Sequence, residues 1–465
     1  MLKINSKIFR EYDIRGIAGS DLSEEFAELL GKAYGTYLHS FGTKDVLVAR
    51  DTRITSPSYQ KALMQGISST GCNVYDMGIA IVSTMYFARQ HFKIDGGVMV
   101  SASHNPPQYN GFKLCHGPNT ISGEDIQKIR ILMEEGVFIT GKGTIRAFGE
   151  ANTIYYKEIK KRIKLAKNPK VVVDASAAIA GLFVPGLLRD LGCEVIELFT
   201  EINPTNPPHI PDPVVIDAYK DLVNAVKENK ADVGIMFDGD ADRVGFVDDK
   251  GRIQLGDVIL TFLVQDYLPK NKGAKVIIEL KDSEMVVDEV NRLGGVPIFW
   301  KTGHSLLDRK VHEEKALLCG EMSCHYWITK DWFIFDDAVH AMCQVLRILS
   351  EKKESFSQIV DTFPKYYATP EYRIGVPEEK KFDIVKGVVD YFTRSCTKVI
   401  NLDGIRGYTN DGWFLFRASN TGPLVSLRVE AKTKEGLERL KKFVEDGLKN
   451  FPDVHLDWNR QYDAH

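Results

Sequence analysis

A serine and a histidine stand side by side shortly after an apolar run. The run Gly97-Val98-Met99-Val100 predicts a buried strand, and Ser103-His104 follows it. Pro106-Pro107 prevents continuation as a helix or sheet, and Asn110-Gly111 predicts a tight hairpin turn before a return strand. A hydroxyl next to an imidazole at a strand end is a common way to present a nucleophile. Taken alone, such a pair more often only caps a backbone amide in a turn.

Three carboxylates at alternate positions form a second cluster. Asp238, Asp240 and Asp242 come directly after a strand-like apolar run, and they would repel one another unless a cation lay between them. Oxygen ligands at this density suit Mg²⁺ or Ca²⁺. An EF-hand calcium loop is excluded because it needs Gly at its sixth and Glu at its twelfth position, where this chain has Arg243 and Asp249. A solvated acidic turn is the remaining alternative.

The third cluster is the segment 417–423, which is too short for a helix. An alternating, strand-like run that carries Arg428 follows it. Consecutive backbone amides with hydroxyl, amide and guanidinium groups make a compact anion nest, for which a phosphate dianion is the natural ligand. An ordinary Ser/Asn/Gly turn is the alternative. The polar residues of this segment are Arg417, Ser419, Asn420 and Thr421.

The fourth cluster places a carboxylate, a hydroxyl and an imidazole within five residues, at Glu321, Ser323 and His325. Such groups on a short loop can hydrogen-bond the vicinal hydroxyls of a sugar. A buried turn explains the same pattern equally well when this segment is considered alone.

The elements that must position these clusters follow a repeated pattern. A β-rich run, a polar loop, a helical stretch and a second β run occur three times, over 46–76, 171–197 and 276–299. Strands that alternate with helices predict βαβ units, and the recurrence predicts related domains. After about residue 363 the pattern changes, and the chain ends in an amphipathic helix near 437–448. We therefore predict three related α/β domains and a C-terminal α+β domain, with bounds 1–150, 151–252, 253–365 and 366–465.

Composition limits the possible partners and the compartment. The chain has 465 residues, is 44% hydrophobic and carries a net charge of −3, so we expect no general attraction to nucleic acid or membrane. The seven cysteines show no Cys-x-x-Cys spacing and are expected to be reduced. The charged start and the lack of a long apolar run argue against a signal peptide or a membrane span. We expect a soluble, cytoplasmic protein that is a monomer or weak dimer.

Together the four clusters resemble the loops of the α-D-phosphohexomutases, in particular the bacterial phosphomannomutase/phosphoglucomutase branch. The family's serine, metal, sugar and phosphate loops occur here in the same order, and the resemblance runs the whole length of the chain. Shorter agreements with family segments occur at 9–16, 301–304 and 332–337.

The resemblance implies that the four domains line one central cleft and that each contributes one loop. It implies reversible phosphoryl transfer between C6 and C1 of a hexose phosphate, through phosphoserine at Ser103 and a bisphosphorylated sugar. The implied cofactors are one Mg²⁺ and a catalytic hexose 1,6-bisphosphate, and the implied partners are hexose phosphates. Mg²⁺ would be held at Ser103, Asp238, Asp240 and Asp242.

The remaining roles are expectations from the same resemblance and from side-chain chemistry. The expected catalytic residues are Ser103, Lys113, Arg243, His304 and His325, with Lys113, His304 and His325 as alternatives for proton transfer. A phosphate counter-charge is the alternative role for Lys113. The expected substrate-binding residues are Tyr12, Arg15, His104, Arg243, Lys281, Gly303, His304, Glu321, Ser323, His325, Arg417, Ser419, Asn420, Thr421 and Arg428.

Two residues depart from the family pattern. Cys324 stands where the family usually has Gly, and its Cβ restricts the backbone that presents His325. Gly422 stands where a Glu or Thr is common, which loosens the phosphate loop without removing an anion ligand.

Three alternative functions stay open from the sequence. Met322 resembles the mannose/glucose branch, so dual specificity is expected, with a phosphoglucosamine mutase as the alternative. A metal-dependent phosphatase would release free phosphate instead of an isomerised sugar phosphate. A non-catalytic sugar-phosphate sensor would be expected to have lost Ser103 or one of the aspartates, and all are present.

Overall fold

The structure of the protein, a computed structural model, describes residues 4–419 and 422–459. Its strands form four sheets in chain order. The first sheet has seven strands and combines parallel pairing at its centre with antiparallel pairing at one side. The elements around it are β1 (Ile14–Ile17), α1 (Glu24–His39), β2 (Asp45–Arg50), α2 (Ser56–Ser68), β3 (Asn73–Ile79), α3 (Val82–Phe92), β4 (Gly96–Val100), β5 (Tyr109–His116), β6 (Asn119–Thr120), α4 (Glu124–Glu135) and β7 (Ile145–Ala147).

The second sheet has five strands in the order β12-β11-β10-β8-β9. The pairs β8–β9 and β8–β10 are parallel, and β11 returns antiparallel to β10. The elements of this part are α5 (Glu150–Arg162), β8 (Lys170–Asp174), α6 (Ala180–Asp190), β9 (Glu194–Leu198), α7 (Lys220–Asn229), β10 (Val233–Phe237), β11 (Val244–Asp248) and β12 (Ile253–Gln254).

The third sheet has four strands in the order β14-β13-β15-β16, again with a parallel centre and one antiparallel strand. Its elements are α8 (Gly256–Tyr267), β13 (Lys275–Glu279), α9 (Glu284–Arg292), β14 (Val296–Trp300), α10 (His304–Glu314), β15 (Leu318–Gly320), β16 (Tyr326–Ile328), α11 (Ala338–Glu351) and α12 (Phe356–Val360).

The fourth sheet has six strands, and every described pairing in it is antiparallel. Its elements are β17 (Tyr367–Ala368), β18 (Tyr372–Gly375), α13 (Lys381–Thr393), β19 (Lys398–Ile400), β20 (Ile405–Tyr408), β21 (Gly412–Ala418), β22 (Leu424–Ala431) and α14 (Lys434–Leu448). The predicted fold class, three related α/β domains followed by an α+β domain, is confirmed. The domain boundaries at residues 150, 252 and 365 stay predictions.

The same step in the topology produces three of the predicted loops. The segments between β4 and β5, between β10 and β11, and between β15 and β16 each join a parallel strand to the antiparallel strand that pairs with it. Each loop therefore leaves the carboxyl end of a strand in a parallel pair, where α/β sheets usually bind ligands. The repeated fold places the serine, metal and sugar loops in equivalent positions of their own sheets.

One local prediction is wrong. Asn110-Gly111 is not a hairpin turn, because both residues lie inside β5. A Cβ at Gly111 would stand 2.5 Å from the Ile14 carbonyl oxygen and 2.8 Å from that of Ser101. The glycine therefore serves a close approach of neighbouring main chains within a strand, and the connection between β4 and β5 ends earlier, before Tyr109.

The first three sheets share an apolar core, and the fourth sheet has a separate one. One continuous cluster of buried side chains runs from Leu47 to Phe363 and so joins the first three sheets. The fourth sheet packs its own cluster, from Tyr372 to Val454. Among the residues that the structure describes, no helix combines the length and the apolar character that crossing a bilayer requires.

A buried arginine anchors the fourth sheet to the third. The Arg406 guanidinium donates to the carbonyl oxygens of Leu280 at 2.6 Å and Asp282 at 2.8 Å, and it pairs with Glu284 at 2.9 Å. It also lies 3.5 Å from the centroid of the Trp413 ring. Since Arg406 is fully buried, removal of its charge would leave these acceptors without a donor.

We expect Arg406→Met to lower the free energy of unfolding by about 3–5 kcal/mol, because it strips a buried ion pair of one partner. Urea unfolding followed by circular dichroism measures this loss. Arg439→Met is the matched control, since Arg439 pairs with Asp411 at the protein surface and its loss should leave the midpoint unchanged. An Arg406→Met midpoint equal to that of the control would contradict the anchoring role.

Candidate active site

The serine loop presents a buried hydroxyl to a carboxylate of the next sheet. Ser103 has a left-handed backbone with φ of 50° and is 1% exposed. Its Oγ donates to Asp238 Oδ2 at 2.6 Å and lies 3.2 Å from His104 Nδ1. The Ser103 amide donates to Ser101 Oγ at 2.9 Å. The predicted nucleophile therefore meets the predicted metal loop directly.

The close contact of the two loops depends on a glycine. A Cβ at Gly239 would lie 2.3 Å from the Ser103 carbonyl oxygen, so any other residue would push the two main chains apart. Gly239 stands between Asp238 and Asp240, which explains why the acidic cluster contains a glycine at this place.

The three aspartates of the metal loop meet in a buried cluster. Asp238, Asp240 and Asp242 each offer a carboxylate oxygen within 4.8 Å of the others, and all three are at most 2% exposed. Burial, Asp242 and Asp240 raise the pKa of Asp238 well above its usual range. Asp240 Oδ1 is buried without a hydrogen-bond donor among the described residues. Carboxylates packed this closely, with an oxygen left over, fit a hard divalent cation.

Lys113 supplies a positive charge to the same cluster. Its Nζ donates to Asp240 Oδ2 at 2.8 Å and to Asp242 Oδ2 at 2.5 Å. Burial opposes protonation, but the two carboxylates outweigh it and raise the pKa of Lys113. Ser101 Oγ donates to Asp240 Oδ2 as well, at 3.0 Å. Lys113 is therefore a fixed ammonium beside the carboxylates, which favours the counter-charge role among its two predicted roles.

The sugar loop forms a hydrogen-bonded group in spite of its departure from the family pattern. Cys324 adopts a left-handed backbone with φ of 70°, as a glycine would. His325 Nδ1 lies 2.7 Å from Glu321 Oε2 and 3.2 Å from Ser323 Oγ. The Cβ of Cys324 therefore does not prevent the tight turn that brings these three side chains together.

His325 also connects the sugar loop to the metal loop. Its Nε2 lies 3.5 Å from Asp242 Oδ1. Burial alone would lower the pKa of His325, but Asp242 and Glu321 raise it to about 10. The His325 ring in turn lies 5.2 Å from the His304 ring, centroid to centroid. The two predicted histidines are thus neighbours, and one of them contacts a metal-loop carboxylate.

His304 begins helix α10 and is oriented by an aspartate. Its Nε2 lies 2.7 Å from Asp336 Oδ1, and Asp336 raises the pKa of His304 against the effect of burial. The preceding Gly303 has φ of 130°, and a Cβ there would lie 2.3 Å from the Tyr12 hydroxyl oxygen. Gly303 donates its amide to Glu321 Oε1 at 3.2 Å. Tyr12, Gly303, His304 and the sugar loop therefore share one surface.

The phosphate loop is only partly described. Asn420 and Thr421 lie outside the described residues. Arg417 pairs through Nε with Asp403 at 2.8 Å, while its Nη2 is buried without an acceptor among the described residues. Lys281, which Glu279 and Glu371 contact at 3.3 and 3.5 Å, keeps a pKa above its usual value because these carboxylates outweigh burial. Arg417 Nη2, which has no acceptor among the described residues, suits an anionic ligand.

Arg428 occupies a different environment from the other predicted phosphate ligands. Its guanidinium donates to the Lys281 carbonyl oxygen, contacts Met322 Sδ at 3.2 Å and pairs with Asp257 Oδ2 at 3.3 Å. Arg428 is 5% exposed and links the fourth sheet to the sugar loop of the third. Its predicted role in phosphate binding stays a prediction.

Two predicted arginines flank the serine loop. Arg15 donates to Asn105 Oδ1 at 2.6 Å and pairs with Asp13 at 2.6 Å. Arg243 pairs with Asp212 Oδ1 at 3.1 Å, and Asp212 Oδ2 lies 3.8 Å from His104 Nε2. Asp212 therefore joins the histidine next to Ser103 to the arginine next to the metal loop.

Three residues that the sequence analysis did not select hold the selected ones in place. They are Arg53, whose guanidinium contacts the serine loop, Asp212 and Asp336. Arg53 lies in a polar stretch that follows β2, Asp212 follows the proline-rich loop near 203–208, and Asp336 lies shortly before α11 in the segment 332–337 that resembles the family. The polar stretch after a strand and the resemblance of 332–337 were the available signs, but spacing alone does not show which loop these residues face.

Comparison with known families matches all four domains. The family models for phosphoglucomutase/phosphomannomutase alpha/beta/alpha domains I, II and III cover residues 6–139, 153–251 and 255–367, and the C-terminal domain model covers 371–447. The chain belongs to the phosphoglucomutase/phosphomannomutase family. It is therefore an enzyme of the phosphohexomutase type, and the resemblance inferred from its four loops is confirmed.

Individual members of the phosphoglucomutase/phosphomannomutase family match over nearly the whole chain. The phosphomannomutase/phosphoglucomutase of Pseudomonas aeruginosa is 39% identical over 444 residues, which are 96% of each chain. A phosphoglucomutase of Neisseria gonorrhoeae is 34% identical and covers 98% of this chain and 100% of its own. An X-ray structure of a family protein from Burkholderia thailandensis superimposes with a TM-score of 0.92 at 34% identity, covering 98% of this chain and 100% of its own.

We expect Mg²⁺ at about 100 times its dissociation constant to raise the free energy of unfolding by about 2.7 kcal/mol, because an ion held by the three aspartates would bind the folded protein and not the unfolded chain. Asp240→Asn should abolish most of this rise by removing one charged ligand. Thermal unfolding in EDTA and in MgCl₂ measures the difference. Asp221→Asn, an exposed aspartate on α7, is the control and should keep the full rise. An unchanged Mg²⁺ effect in Asp240→Asn would rule out this cluster as the metal site.

Proposed function

We propose that this enzyme interconverts the 6-phosphate and the 1-phosphate of mannose and of glucose through a phosphoserine at residue 103. The observation that carries the proposal is the hydrogen bond of 2.6 Å between Ser103 Oγ and Asp238 Oδ2. It joins two loops that are 135 residues apart in the chain, and the hydroxyl that it sets against the acidic cluster lies beside the His104 imidazole. A phosphoryl group on Oγ would be presented to that cluster.

The aspartates support a metal-assisted transfer. A Mg²⁺ ion held by Asp238, Asp240 and Asp242 would neutralise charge on the phosphoryl oxygens. Lys113, fixed between Asp240 and Asp242, adds a further positive charge on the side of the serine loop. Together these groups suit the dianionic charge of a phosphoserine.

Each half-reaction exchanges one bond for another. The free hydroxyl oxygen of the sugar phosphate forms a bond to phosphorus as the bond from phosphorus to Ser103 Oγ breaks, in line. The proton that leaves the sugar hydroxyl is balanced by the proton that Oγ gains. The product is a sugar bisphosphate, and after it turns around, the reverse transfer returns its other phosphoryl group to Ser103. A catalytic hexose 1,6-bisphosphate would phosphorylate any enzyme that has lost its phosphate.

Proton transfer to and from the sugar hydroxyl suits His325 and His304. Both rings lie beside the sugar loop, and each is oriented by a carboxylate, through Glu321 for His325 and through Asp336 for His304. An imidazole with one nitrogen held by a carboxylate is a common arrangement for a general acid or base. Lys113 is committed to two carboxylates and is better suited to hold charge.

Substrate binding would divide between two loops. Glu321 and Ser323 would hold hydroxyls that are common to both orientations of the sugar. The phosphate that is not transferred would bind Arg417, whose Nη2 has no acceptor among the described residues, together with Lys281, Ser419, Asn420 and Thr421. Tyr12, Arg15, His104, Arg243 and Gly303 would line the space between the serine loop and the sugar loop.

Dual specificity for mannose and glucose is supported by the names of the relatives and by the small chemical difference between the two sugars. The Pseudomonas aeruginosa relative is a phosphomannomutase/phosphoglucomutase, and the Neisseria gonorrhoeae relative is a phosphoglucomutase. The two sugars differ only in the configuration of one hydroxyl, which gives strong discrimination only where a site pairs that hydroxyl specifically.

We expect Ser103→Ala to lower kcat by at least about 10⁴-fold, because the step that forms the covalent intermediate is lost. A coupled assay that converts glucose 6-phosphate to an oxidised product measures the rate from glucose 1-phosphate. Ser58→Ala is the control, since within the described residues the Ser58 hydroxyl donates to the carbonyl of Thr55, just before α2. Undiminished turnover in Ser103→Ala would refute the phosphoserine mechanism.

We expect kcat/KM values for mannose 1-phosphate and glucose 1-phosphate to lie within about 100-fold of each other, as expected for a difference of one hydroxyl configuration. Parallel coupled assays with mannose 1-phosphate, glucose 1-phosphate and glucosamine 1-phosphate test this. Glucosamine 1-phosphate is expected to be the poorest of the three. A preference for the amino sugar over both hexoses would overturn the substrate assignment and leave the phosphoserine mechanism intact.

A further inference from the structure

Every N–H donor of the Arg53 guanidinium faces an acceptor, and most of these acceptors belong to the serine loop. Nη2 donates to the carbonyl oxygens of Ser103 at 2.8 Å and Asn105 at 2.6 Å. Nη1 donates to those of Pro106 at 2.8 Å and Tyr109 at 3.0 Å. Nε faces Asp51 Oδ2 at 3.2 Å. The five N–H donors of an arginine therefore have five acceptors, of which three are main-chain carbonyls of the serine loop and one is the carbonyl of Tyr109, the first residue of β5.

Arg53 is itself fixed from behind. It follows β2, the strand that pairs with β4, and the serine loop leaves the carboxyl end of β4. Asp51 accepts from the Arg53 amide at 3.0 Å and from Ser56 Oγ at 2.5 Å, and it is 1% exposed. The anchoring carboxylate is therefore buried and tied to α2, so the guanidinium has a defined position from which to hold the loop.

The serine loop needs such support, because its main chain does not fall into a favoured conformation at the reactive residue. Ser103 has φ of 50°, which costs free energy for any residue other than glycine and persists only where the surroundings impose it. Arg53 donates hydrogen bonds to the carbonyl of Ser103 itself and to three carbonyls that follow it. No other residue type offers a planar set of five donors, since lysine has three on one atom and glutamine has two.

We propose that Arg53 is a positioning residue that fixes the serine loop so that the phosphoryl group of Ser103 passes to the sugar rather than to water. The proposal rests on the proposed phosphoserine mechanism. Transfer to a bound hydroxyl requires the phosphorus, Oγ and the hydroxyl oxygen to be in line, and a displacement of about 1 Å can cost about 100-fold in rate. Water is small and adapts to a displaced phosphoryl group. In hydrolysis, a water oxygen bonds to phosphorus, the P–Oγ bond breaks, and free phosphate leaves while Oγ regains a proton.

The test compares the two fates of the phosphoryl group in Arg53→Lys. Each enzyme is phosphorylated with glucose 1,6-bisphosphate and freed of excess reagent. Hydrolysis is followed as the loss of the phosphoryl mass from the protein, by intact-protein mass spectrometry without sugar, and transfer is followed as the formation of glucose 6-phosphate from glucose 1-phosphate in a coupled assay. We expect the ratio of transfer to hydrolysis to fall at least about 10-fold and kcat to fall about 100-fold, while KM changes by less than about threefold.

Arg50→Lys is the matched control. Arg50 lies on the same strand end, and its described guanidinium hydrogen bond goes to the Asp51 carbonyl oxygen, not to the serine loop. This variant should keep the wild-type ratio of transfer to hydrolysis. A purely structural role of Arg53 would lower the folded fraction and both rates together, so the ratio in Arg53→Lys would not move. An unchanged ratio therefore overturns the proposal.

A second variant covers the case in which Arg53→Lys does not fold. Arg53→Ala is assayed with added methylguanidinium and, separately, with methylammonium. We expect methylguanidinium alone to raise the ratio of transfer to hydrolysis, because it restores a planar set of donors. Equal effects of the two cations would overturn the proposal.

If neither variant folds, deuterium exchange into residues 101–109 of the wild-type enzyme decides: protection comparable to that of β4 supports the proposal, and exchange at the rate of an unstructured peptide overturns it.

The failure of this proposal differs from a failure of the mechanism beneath it. Wild-type enzyme that gains no phosphoryl mass at Ser103 from glucose 1,6-bisphosphate would refute the phosphoserine mechanism itself. Wild-type enzyme that gains it, together with an unaltered ratio in Arg53→Lys, would refute only the positioning role.

Discussion

The arrangement of the site depends on one constraint: three carboxylates lie close together in a buried position. Asp238, Asp240 and Asp242 are buried within a few ångströms of one another, and Ser103 Oγ donates to the first of them. Carboxylates in such a place repel one another strongly unless positive charge is supplied. Lys113 supplies one charge, and the remaining oxygens suit a divalent cation. The geometry and charge of the cluster are therefore compatible with the phosphoserine that we propose at Ser103.

The repeated topology explains how one chain assembles this cluster from distant segments. In each of the first three sheets, a loop joins a parallel strand to its antiparallel neighbour, and these loops carry Ser103, the three aspartates and the group of Glu321, Ser323 and His325. A continuous apolar core joins these sheets, so their loops are held at fixed separations. The C-terminal sheet has a core of its own and is tied to the third sheet by Arg406 and Arg428.

The sequence was sufficient for the fold class and for the choice of loops, because repeated strand–helix patterns and dense polar clusters are visible in one dimension. The sequence was insufficient where a residue is required by a contact between main-chain segments that are distant in the chain. Asn110-Gly111 has the composition of a turn, yet Gly111 is required by the Ile14 and Ser101 carbonyls beside β5. Cys324 lacks the freedom of glycine, yet the turn forms. Arg53, Asp212 and Asp336 act through partners far along the chain, which spacing does not reveal.

The approach of Gly239 to the Ser103 carbonyl has an evolutionary consequence. The space between the first two sheets at this point is set by backbone on both sides, so a single added methyl group at residue 239 would press against the carbonyl of Ser103 in the neighbouring domain. Exchanging side chains elsewhere in the serine loop cannot compensate for it. A hybrid enzyme made by joining the first domain of one relative to the second domain of another would therefore tolerate many differences. It would not tolerate a side chain at the position of Gly239.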